Sequence, residues 1–192
     1  MMKRLAFVAG FLALAAPLAV AQTSTWVPDR AHSEVDFTIR HMSVSNVHGR
    51  FGNIDGKIAF DEANIARSSV QVTIDVNTID TGVAPRDADL KSSNFFDAAQ
   101  FPTATFTSTS VAKNGSYLTV TGNLTLHGVT RPVVLQVEGP SGPMPGMDHK
   151  PHAGFSASTT ISRTAFGIGP KYPASVVGDD VKLTIDLEVV KQ

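Results

Sequence analysis

Six histidines are the residues of this sequence best suited to bind a metal ion or to transfer a proton. They are His32, His41, His48, His127, His149 and His152. His41 and His48 lie on either side of a predicted turn, so their imidazoles could approach each other across a hairpin, and paired imidazoles can hold a metal ion. One hypothesis is therefore an exported metal-binding protein or enzyme that uses His41 and His48, although the sequence places no third ligand beside them.

A second group of metal-binding side chains lies in the segment from Gly142 to Ala153. It contains Met144, Met147, His149 and His152. Thioether and imidazole ligands suit copper. The alternative is a hairpin loop that contains these residue types without binding metal, and we favour that interpretation while leaving copper binding open. His32 beside Ser33 and His127 before Gly128 are expected to form hydrogen bonds within turns.

The sequence contains no pattern that requires catalysis. Its carboxylates at Asp75, Asp80 and Asp179-Asp180 lack the spacing of an acid and base pair, and no GxSxG, HExxH or phosphate-binding loop is present. The absence of cysteine excludes disulfides, thiolate metal sites and a cysteine nucleophile. The net charge of -1 argues against nucleic-acid binding. We predict a protein that is not an enzyme and has no cofactor or metal.

The elements that must position these side chains are β-strands. Apolar and polar residues alternate with a period of two in several runs, which predicts strands with one apolar face and one solvated face. Threonine and valine, which favour pleated surfaces, are abundant in them. The clearest runs are 35–40, 70–76, 118–126, 133–137 and 181–189, and shorter ones are 44–51, 54–60, 104–111 and 154–161. Asn114-Gly115 predicts a tight hairpin between strands that end near Lys113 and begin at Ser116.

The segment between Ile79 and Pro102 breaks this alternation. We predict short helical turns over 86–91 and 94–99, while the Gly/Pro-rich stretch Gly139–Pro145 is expected to be a loop. Strands joined by short turns imply an antiparallel sheet. Its apolar face could be covered in a sandwich or in a barrel, and a barrel of about eight strands can be filled by side chains or can hold a small ligand.

The N-terminus has the three parts of a secretory signal peptide. Lys3 and Arg4 precede an apolar run, and the small-residue sequence Ala19-Val20-Ala21 follows it. A membrane anchor is the alternative, but the apolar run contains Pro17 and is short for a spanning helix. We therefore predict residues 1–21 to be a signal peptide, residues 22–192 to be one domain, and the location to be the periplasm.

Ordered motifs along the whole mature region resemble the YceI-like family of polyisoprenoid-binding proteins. They include Trp26-Val27-Pro28-Asp29, Val47-His48-Gly49-Arg50-Phe51, Arg86-Asp87, Leu90-Lys91-Ser92, Phe95-Phe96-Asp97, Phe101-Pro102, His127-Gly128-Val129-Thr130, Arg163 and Phe166-Gly167-Ile168. The chain departs from the family pattern at Asp89, where members often carry histidine, so a role for that imidazole does not transfer.

The resemblance implies an all-β, lipocalin-like antiparallel barrel that is closed at one end by the short helical segment. It further implies an apolar tunnel that holds an isoprenoid, quinone-like or similar long-chain lipid as the partner. From the apolar strand faces and the helical segment, we expect the lining to comprise Phe37, Ile39, Phe51, Ile58, Leu90, Phe95, Phe106, Leu124, Leu135, Phe155 and Ile161. A transient membrane contact and the oligomeric state are left open.

Two polar residues are candidates to contact the headgroup of such a lipid. Arg86 could face an anionic group such as a prenyl diphosphate, because arginine binds phosphate through two parallel hydrogen bonds. The structural alternative is that Arg86 and Asp87 form an ion pair and cap the helical segment. His41, at the end of an apolar strand, is the other headgroup candidate.

Overall fold

The computed structural model describes residues 23–192, so the predicted signal peptide at 1–21 lies outside the described residues. Nine antiparallel strands and one short α-helix form the fold. In chain order they are β1 (Ser24–His41), β2 (Ser45–Phe51), β3 (Ile54–Phe60), β4 (Ser69–Asp75), α1 (Ala84–Lys91), β5 (Thr103–Asn114), β6 (Tyr117–Leu126), β7 (Val129–Pro145), β8 (Pro151–Ser162) and β9 (Val177–Lys191). None of the helices among residues 23–192 has the length and apolar character needed to cross a membrane.

The sheet closes on itself and forms a barrel. The strand order is β2-β1-β3-β4-β5-β6-β7-β8-β9, and β1 also pairs with β9. β2 and β3 occupy one position of the barrel in series, because β2 pairs with the second half of β1 and β3 pairs with its first residues. Nine strands therefore fill eight positions, which accounts for the prediction of about eight. The prediction of an antiparallel barrel is confirmed.

The alternation of the strands decides which side chains enter the barrel. In β6 every second residue is buried, namely Leu118, Val120, Gly122, Leu124 and Leu126, while the residues between them are more exposed. Inward residues of all strands form one large apolar cluster that also includes side chains of the segment between β4 and β5. A smaller cluster of Trp26, Ile58, Ala153 and Val189 fills the barrel end where β1 begins.

Two of the local predictions are corrected at the level of the backbone. Helix α1 spans Ala84–Lys91, but residues 94–99 form turns, because the amides of Phe95 and Asp97 both bond to the carbonyl of Ser92 and no helical ladder continues. Asn114 belongs to β5 and pairs with Tyr117, so the hairpin turn is Gly115-Ser116, one residue later than predicted. Gly115 has φ +62°, a conformation that glycine adopts without strain.

The stretch Gly139–Pro145 is the final part of β7 and not a loop. The pairing of β7 with β8 continues from Glu138 to Pro145 with register shifts on either side of Ser141. The glycines at 139 and 142 have positive φ, and their neighbours Pro140 and Pro143 donate no backbone hydrogen bond. Bulges thus replace regular pairing here, and residues 146–150 form the connecting turn.

Candidate functional site

An apolar cavity of about 340 Å³ lies inside the barrel beside α1. Its walls come from β1, β2, β4, β5, β6, β8 and β9, and from the two segments that connect β4 to β5 and β8 to β9. Arg40, His41 and Val176 line this first cavity and are also exposed, so the cavity reaches the surface at the end of the barrel that carries α1.

A second apolar cavity of about 130 Å³ continues the space toward the other end of the barrel. Val35, Ile74, Leu124 and Leu183 line both cavities, which makes the two adjacent parts of one elongated interior. The inward residues Leu183, Ile185 and Leu187 of β9 are only half-buried. They keep accessible surface because they face open space and not a packed core. The barrel is therefore incompletely filled by its own side chains.

The eleven residues that were expected to line a tunnel all face these cavities. Phe37, Ile39, Phe51, Leu90, Phe95 and Ile161 line the first cavity; Ile58, Phe106, Leu135 and Phe155 line the second; Leu124 lines both. Their contact with a ligand stays a prediction. The strand residues were placed by alternation, and Leu90 and Phe95 by their position in the segment that covers the barrel end.

Arg86 and Asp87 do not form the ion pair of the structural alternative, and neither side chain caps α1. Both side chains bond to Thr81 instead: Arg86 donates from Nε to Thr81 Oγ1 at 2.7 Å and from Nη2 to its carbonyl at 2.9 Å, and Asp87 accepts from the Thr81 amide at 2.9 Å. These bonds attach the start of α1 to the segment after β4. Arg86 still lines the first cavity, as does His41.

Polar side chains hold the segment after α1 against the segment before β9. Asp89 accepts a hydrogen bond of 2.6 Å from Asn94, and Lys171 donates one of 2.5 Å to the same asparagine. Phe95 stacks on Tyr172 with ring centroids 5.0 Å apart. Asp89 thus organises the wall of the first cavity, which Asp89, Phe95 and Tyr172 all line.

Arg163 is a structural residue of the site to which the sequence interpretation assigned no role. It is 3% exposed. Its five N–H groups bond to five carbonyls, those of Ile168, Gly169, Tyr172, Val177 and Gly178, at 2.6–2.9 Å. Burial lowers the pKa of its guanidinium. Arg163 is flanked by Ser162 and Thr164 in the sequence, so no local pattern indicates this role.

The structure does not assemble His41 and His48 into a site. Residue pairs across β1 and β2 share a face, and His48 pairs with Thr38 while Ile39 pairs with Val47. His48 therefore projects outward, where its Nδ1 bonds to Thr38 Oγ1 at 3.1 Å, whereas His41 lines the interior cavity. The hypothesis that these two histidines form a metal or catalytic pair is wrong, because they lie on opposite faces of the sheet.

The other histidines contact backbone and carboxylate groups. His127 Nδ1 bonds to the carbonyl of Phe166 at 3.1 Å, and His32 Nδ1 bonds to Asp29 at 3.1 Å. Met147 and His149 lie in the exposed turn between β7 and β8, and Met147 is fully exposed. His152 bonds to Glu188 and Asp148. Copper binding by Met144, Met147, His149 and His152 stays an untested hypothesis.

Comparison with known proteins agrees with this architecture. The family model of the YceI-like domain matches residues 26–189. The protein YceI of Salmonella newport (strain SL254) is 43% identical over 166 residues, which cover 84% of this chain and 83% of that protein. A UPF0312 protein of Pseudomonas paraeruginosa (strain PA7) is 38% identical over 165 residues, which cover 84% of this chain and 83% of the relative.

Solved structures share the same fold. The crystal structure of BcnA from Burkholderia cenocepacia matches with a TM-score of 0.75 at 29% identity, covering 84% of this chain and 98% of BcnA. The YceI protein of Campylobacter jejuni matches with a TM-score of 0.71 at 32% identity, covering 80% and 90%. With the domain match across nearly all of the described barrel, these similarities make the chain a member of the YceI-like family.

Proposed function

We propose that this protein is a periplasmic binding protein that carries a polyisoprenoid or a similar long-chain amphiphilic lipid inside its barrel. The observation that carries the proposal is the pair of adjacent apolar cavities, which reach the surface beside α1. The periplasmic location rests on the signal-peptide pattern of residues 1–21. The role is binding and transfer of the lipid, with no covalent chemistry.

The shape and the chemistry of the interior suit an extended hydrocarbon chain. The first cavity, at about 340 Å³, is within the usual size range of small-molecule sites, and the second lengthens it along the barrel. Each buried CH₂ group contributes about 0.8 kcal/mol, so a five-carbon prenyl unit contributes a few kcal/mol before the entropy cost of ordering the chain. Affinity would therefore come from the apolar walls.

A polar headgroup would be held where the first cavity reaches the surface. Arg86 uses Nε and Nη2 on Thr81, which leaves Nη1 without a hydrogen bond to any residue in 23–192. This N–H group and the exposed His41 are the donors that we assign to an anionic or strongly polar headgroup. The bonds to Thr81 fix the guanidinium in advance, which reduces the entropy lost on binding.

The description of one structural neighbour supports an isoprenoid as the class of ligand. A domain of Saccharophagus degradans, which matches with a TM-score of 0.64 and covers 89% of this chain and all of that domain, is described as polyisoprenoid-binding. At 18% identity that likeness concerns the fold. The ligand of this chain therefore requires its own experiment.

The experiment is organic extraction of the protein purified from the periplasm, followed by mass spectrometry of the extract and of the intact chain. We expect a chain that begins at Gln22 and a stoichiometric prenyl lipid. Protein freed of lipid should then take up an added fluorescent polyprenol with saturation at one molecule per chain. A clean extract together with no saturable uptake would overturn the proposal.

Variants connect this uptake with the interior. Phe106→Asp introduces a charge into the wall of the second cavity, and Val181→Trp fills part of the first cavity without adding charge. We expect each to lower polyprenol affinity at least tenfold. Val134→Asp is the matched control, because Val134 is 50% exposed on the outer face of β7. If Phe106→Asp does not fold, the test rests on Val181→Trp alone. Full polyprenol uptake by folded Val181→Trp would contradict binding in the first cavity.

A further inference from the structure

Three ionisable side chains converge on the outer surface of the barrel, away from the lipid cavities. They are Asp29, His152 and Glu188, each partly buried, and one ligand atom from each lies within 4.8 Å of the other two. The residues come from the neighbouring strands β1, β8 and β9. They lie at the end of the barrel opposite α1, behind the cluster that contains Trp26 and Val189.

Strand register explains why these three side chains meet. His152 pairs with Val190, and Gly154 pairs with Glu188, so His152 and Glu188 are diagonal neighbours on one face of the β8–β9 pair. Between Pro28 and Ser33, β1 has four residues where β9 has only Glu188. This bulge turns Asp29 over the same face. Bulges of this kind commonly redirect a side chain toward a functional site.

The hydrogen bonds orient the group in the manner of a metal ligand set. His152 Nδ1 lies 2.6 Å from Glu188 Oε1, while its Nε2 lies 3.0 Å from Asp148 Oδ1. A metal-ligating histidine typically donates its second ring N–H to a carboxylate, which fixes the ring and its tautomer. Asp148 is the carboxylate that lies beside the second ring nitrogen of His152, Nε2. Asp29 is fixed in turn by the amide of Ala31 at 2.8 Å and by His32 at 3.1 Å.

The charge around this group is unbalanced when the histidines are neutral. Asp29, Asp148 and Glu188 bring three negative charges, and their ion-pair partners among residues 23–192 are histidines, with no lysine or arginine within ion-pair distance. Other carboxylates of the barrel, such as Asp55 and Asp61, pair with arginine. A bound cation would supply the positive charge that this group otherwise gains only by protonation of its histidines.

We propose that Asp29, His152 and Glu188 bind a divalent transition-metal ion of the Zn²⁺ and Cu²⁺ class. One imidazole nitrogen and two carboxylate oxygens match the donor preference of these ions, and the nitrogen donor disfavours Ca²⁺. The metal would replace the proton that His152 Nδ1 and Glu188 Oε1 share, and the two atoms, now 2.6 Å apart, would separate to accept metal–ligand bonds of about 2 Å. Three protein ligands would leave a further coordination position for water.

The metal ligands proposed here are not the copper ligands considered from the sequence, which were Met144, Met147, His149 and His152. The two groups share only His152. Met144 and Met147 line the same open depression but are 70% and fully exposed, and His149 lies in the exposed turn. Hydrogen bonds hold the carboxylates of Asp29 and Glu188 in place, whereas the thioethers of Met144 and Met147 project into solvent. The metal set therefore consists of oxygen and nitrogen donors on paired strands.

The test is calorimetric titration of the metal-free protein with Zn²⁺ and, separately, with Cu²⁺ and Ca²⁺. We expect one saturable site that binds Cu²⁺ more tightly than Zn²⁺, and no measurable Ca²⁺ binding. His152→Gln and Asp29→Asn should each weaken Zn²⁺ binding at least tenfold, since each removes or neutralises one ligand. Asn can still accept the hydrogen bond from Ala31, so the bulge is retained.

Matched controls separate this site from other histidines. His48→Gln on the outer face of β2 and His149→Gln in the neighbouring turn should leave Zn²⁺ affinity unchanged. Zn²⁺ should raise the Tm of the parent protein and not that of His152→Gln, a readout that is independent of calorimetry. The proposal is overturned by the absence of saturable Zn²⁺ binding, or by binding that persists in folded His152→Gln or is lost in His149→Gln. Polyprenol uptake should be the same in His152→Gln and the parent.

Discussion

Arg163 and Asp179 show how two charged side chains shape the end of the barrel beside the first cavity. Arg163 satisfies all five of its donors with carbonyls of the segment before β9 and of its first residues, so it fixes a stretch that would otherwise form a loose loop. Asp179 accepts from Ser162 Oγ and Thr164 Oγ1, both at 2.6 Å, and from the Thr164 amide at 3.0 Å. These bonds, led by that from Ser162, lower the pKa of Asp179.

This lowered pKa predicts how stability depends on pH. A carboxyl group whose pKa is lower in the folded state stabilises the fold above its unfolded-state pKa, and the contribution disappears as the pH falls through the folded-state value. Asp179→Asn should therefore cost about 1 kcal/mol of unfolding free energy at pH 7, and the difference from the parent should shrink as the pH falls below about 4. Urea unfolding at pH 7, 5, 4 and 3 would measure both effects.

The neighbouring residue provides the control for Asp179. Asp180 is exposed, and its side chain has no hydrogen bond to any residue in the described part of the chain. Asp180→Asn should leave the unfolding free energy nearly unchanged at pH 7. A difference between Asp179→Asn and the parent that stays constant down to pH 3 would show that the charge of Asp179 is not responsible.

At the scale of elements, the pairing of β3 with β4 depends on a glycine. Gly56 pairs with Val72 and has φ +145°, outside the range that residues with a side chain prefer. A Cβ atom at this position would lie 2.1 Å from the carbonyl oxygen of Gln71. The two strands can approach this closely only because residue 56 lacks a side chain.

Gly56→Ala is therefore expected to destabilise the fold by about 3 kcal/mol or more, because both the backbone conformation and the strand contact must change. The measurement is urea unfolding at neutral pH. Gly52→Ala is the matched control, since no atom lies within 4 Å of a Cβ at that position and its φ is unstrained. Equal stabilities of the two variants would contradict this account of Gly56.

At the scale of the whole molecule, the two ends of the barrel differ in chemistry. The end where β1 begins contains the Trp26 cluster, while the end beside α1 opens into the first cavity. Exposed apolar side chains lie next to that opening: Met42 at 57% and Val44 at 77% in the turn between β1 and β2, with the Met42 amide bonded to the carbonyl of Val176 at 2.8 Å. A lipid leaving a bilayer would meet this apolar rim first.

The proposed lipid carriage predicts that this rim governs the exchange of lipid with membranes. The double variant Met42→Asp/Val44→Asp is expected to slow transfer of fluorescent polyprenol from phosphatidylcholine vesicles severalfold, because charged groups enter the headgroup region poorly. Uptake of the same lipid delivered from ethanol should be unchanged, since the cavity is intact. Stopped-flow fluorescence measures both rates.

Val134→Asp again provides the control for this transfer, because Val134 is exposed on the side of the barrel. Transfer from vesicles at the parent rate by the double variant would contradict a role for the rim in lipid exchange. Loss of uptake from both vesicles and ethanol would instead indicate damage to the cavity itself.

The order of residues by itself determined the strands and their inward faces. Alternation with a period of two places Phe37, Leu124 and Ile161 on the interior side of three different strands, and the structure has them there. This prediction succeeds because a strand presents successive side chains to opposite faces, whatever its partner is. The family resemblance added the closed barrel, which alternation alone does not distinguish from a sandwich.

Tertiary structure decided which polar residues meet. His41 and His48 are close in sequence, yet they face opposite sides of the sheet, whereas Asp29, His152 and Glu188 are distant in sequence and converge. Pairing register and the bulge after Pro28 determine that result, and both depend on contacts between strands that no local pattern encodes. The open interior has the same origin, because the width of a barrel depends on all of its strands together.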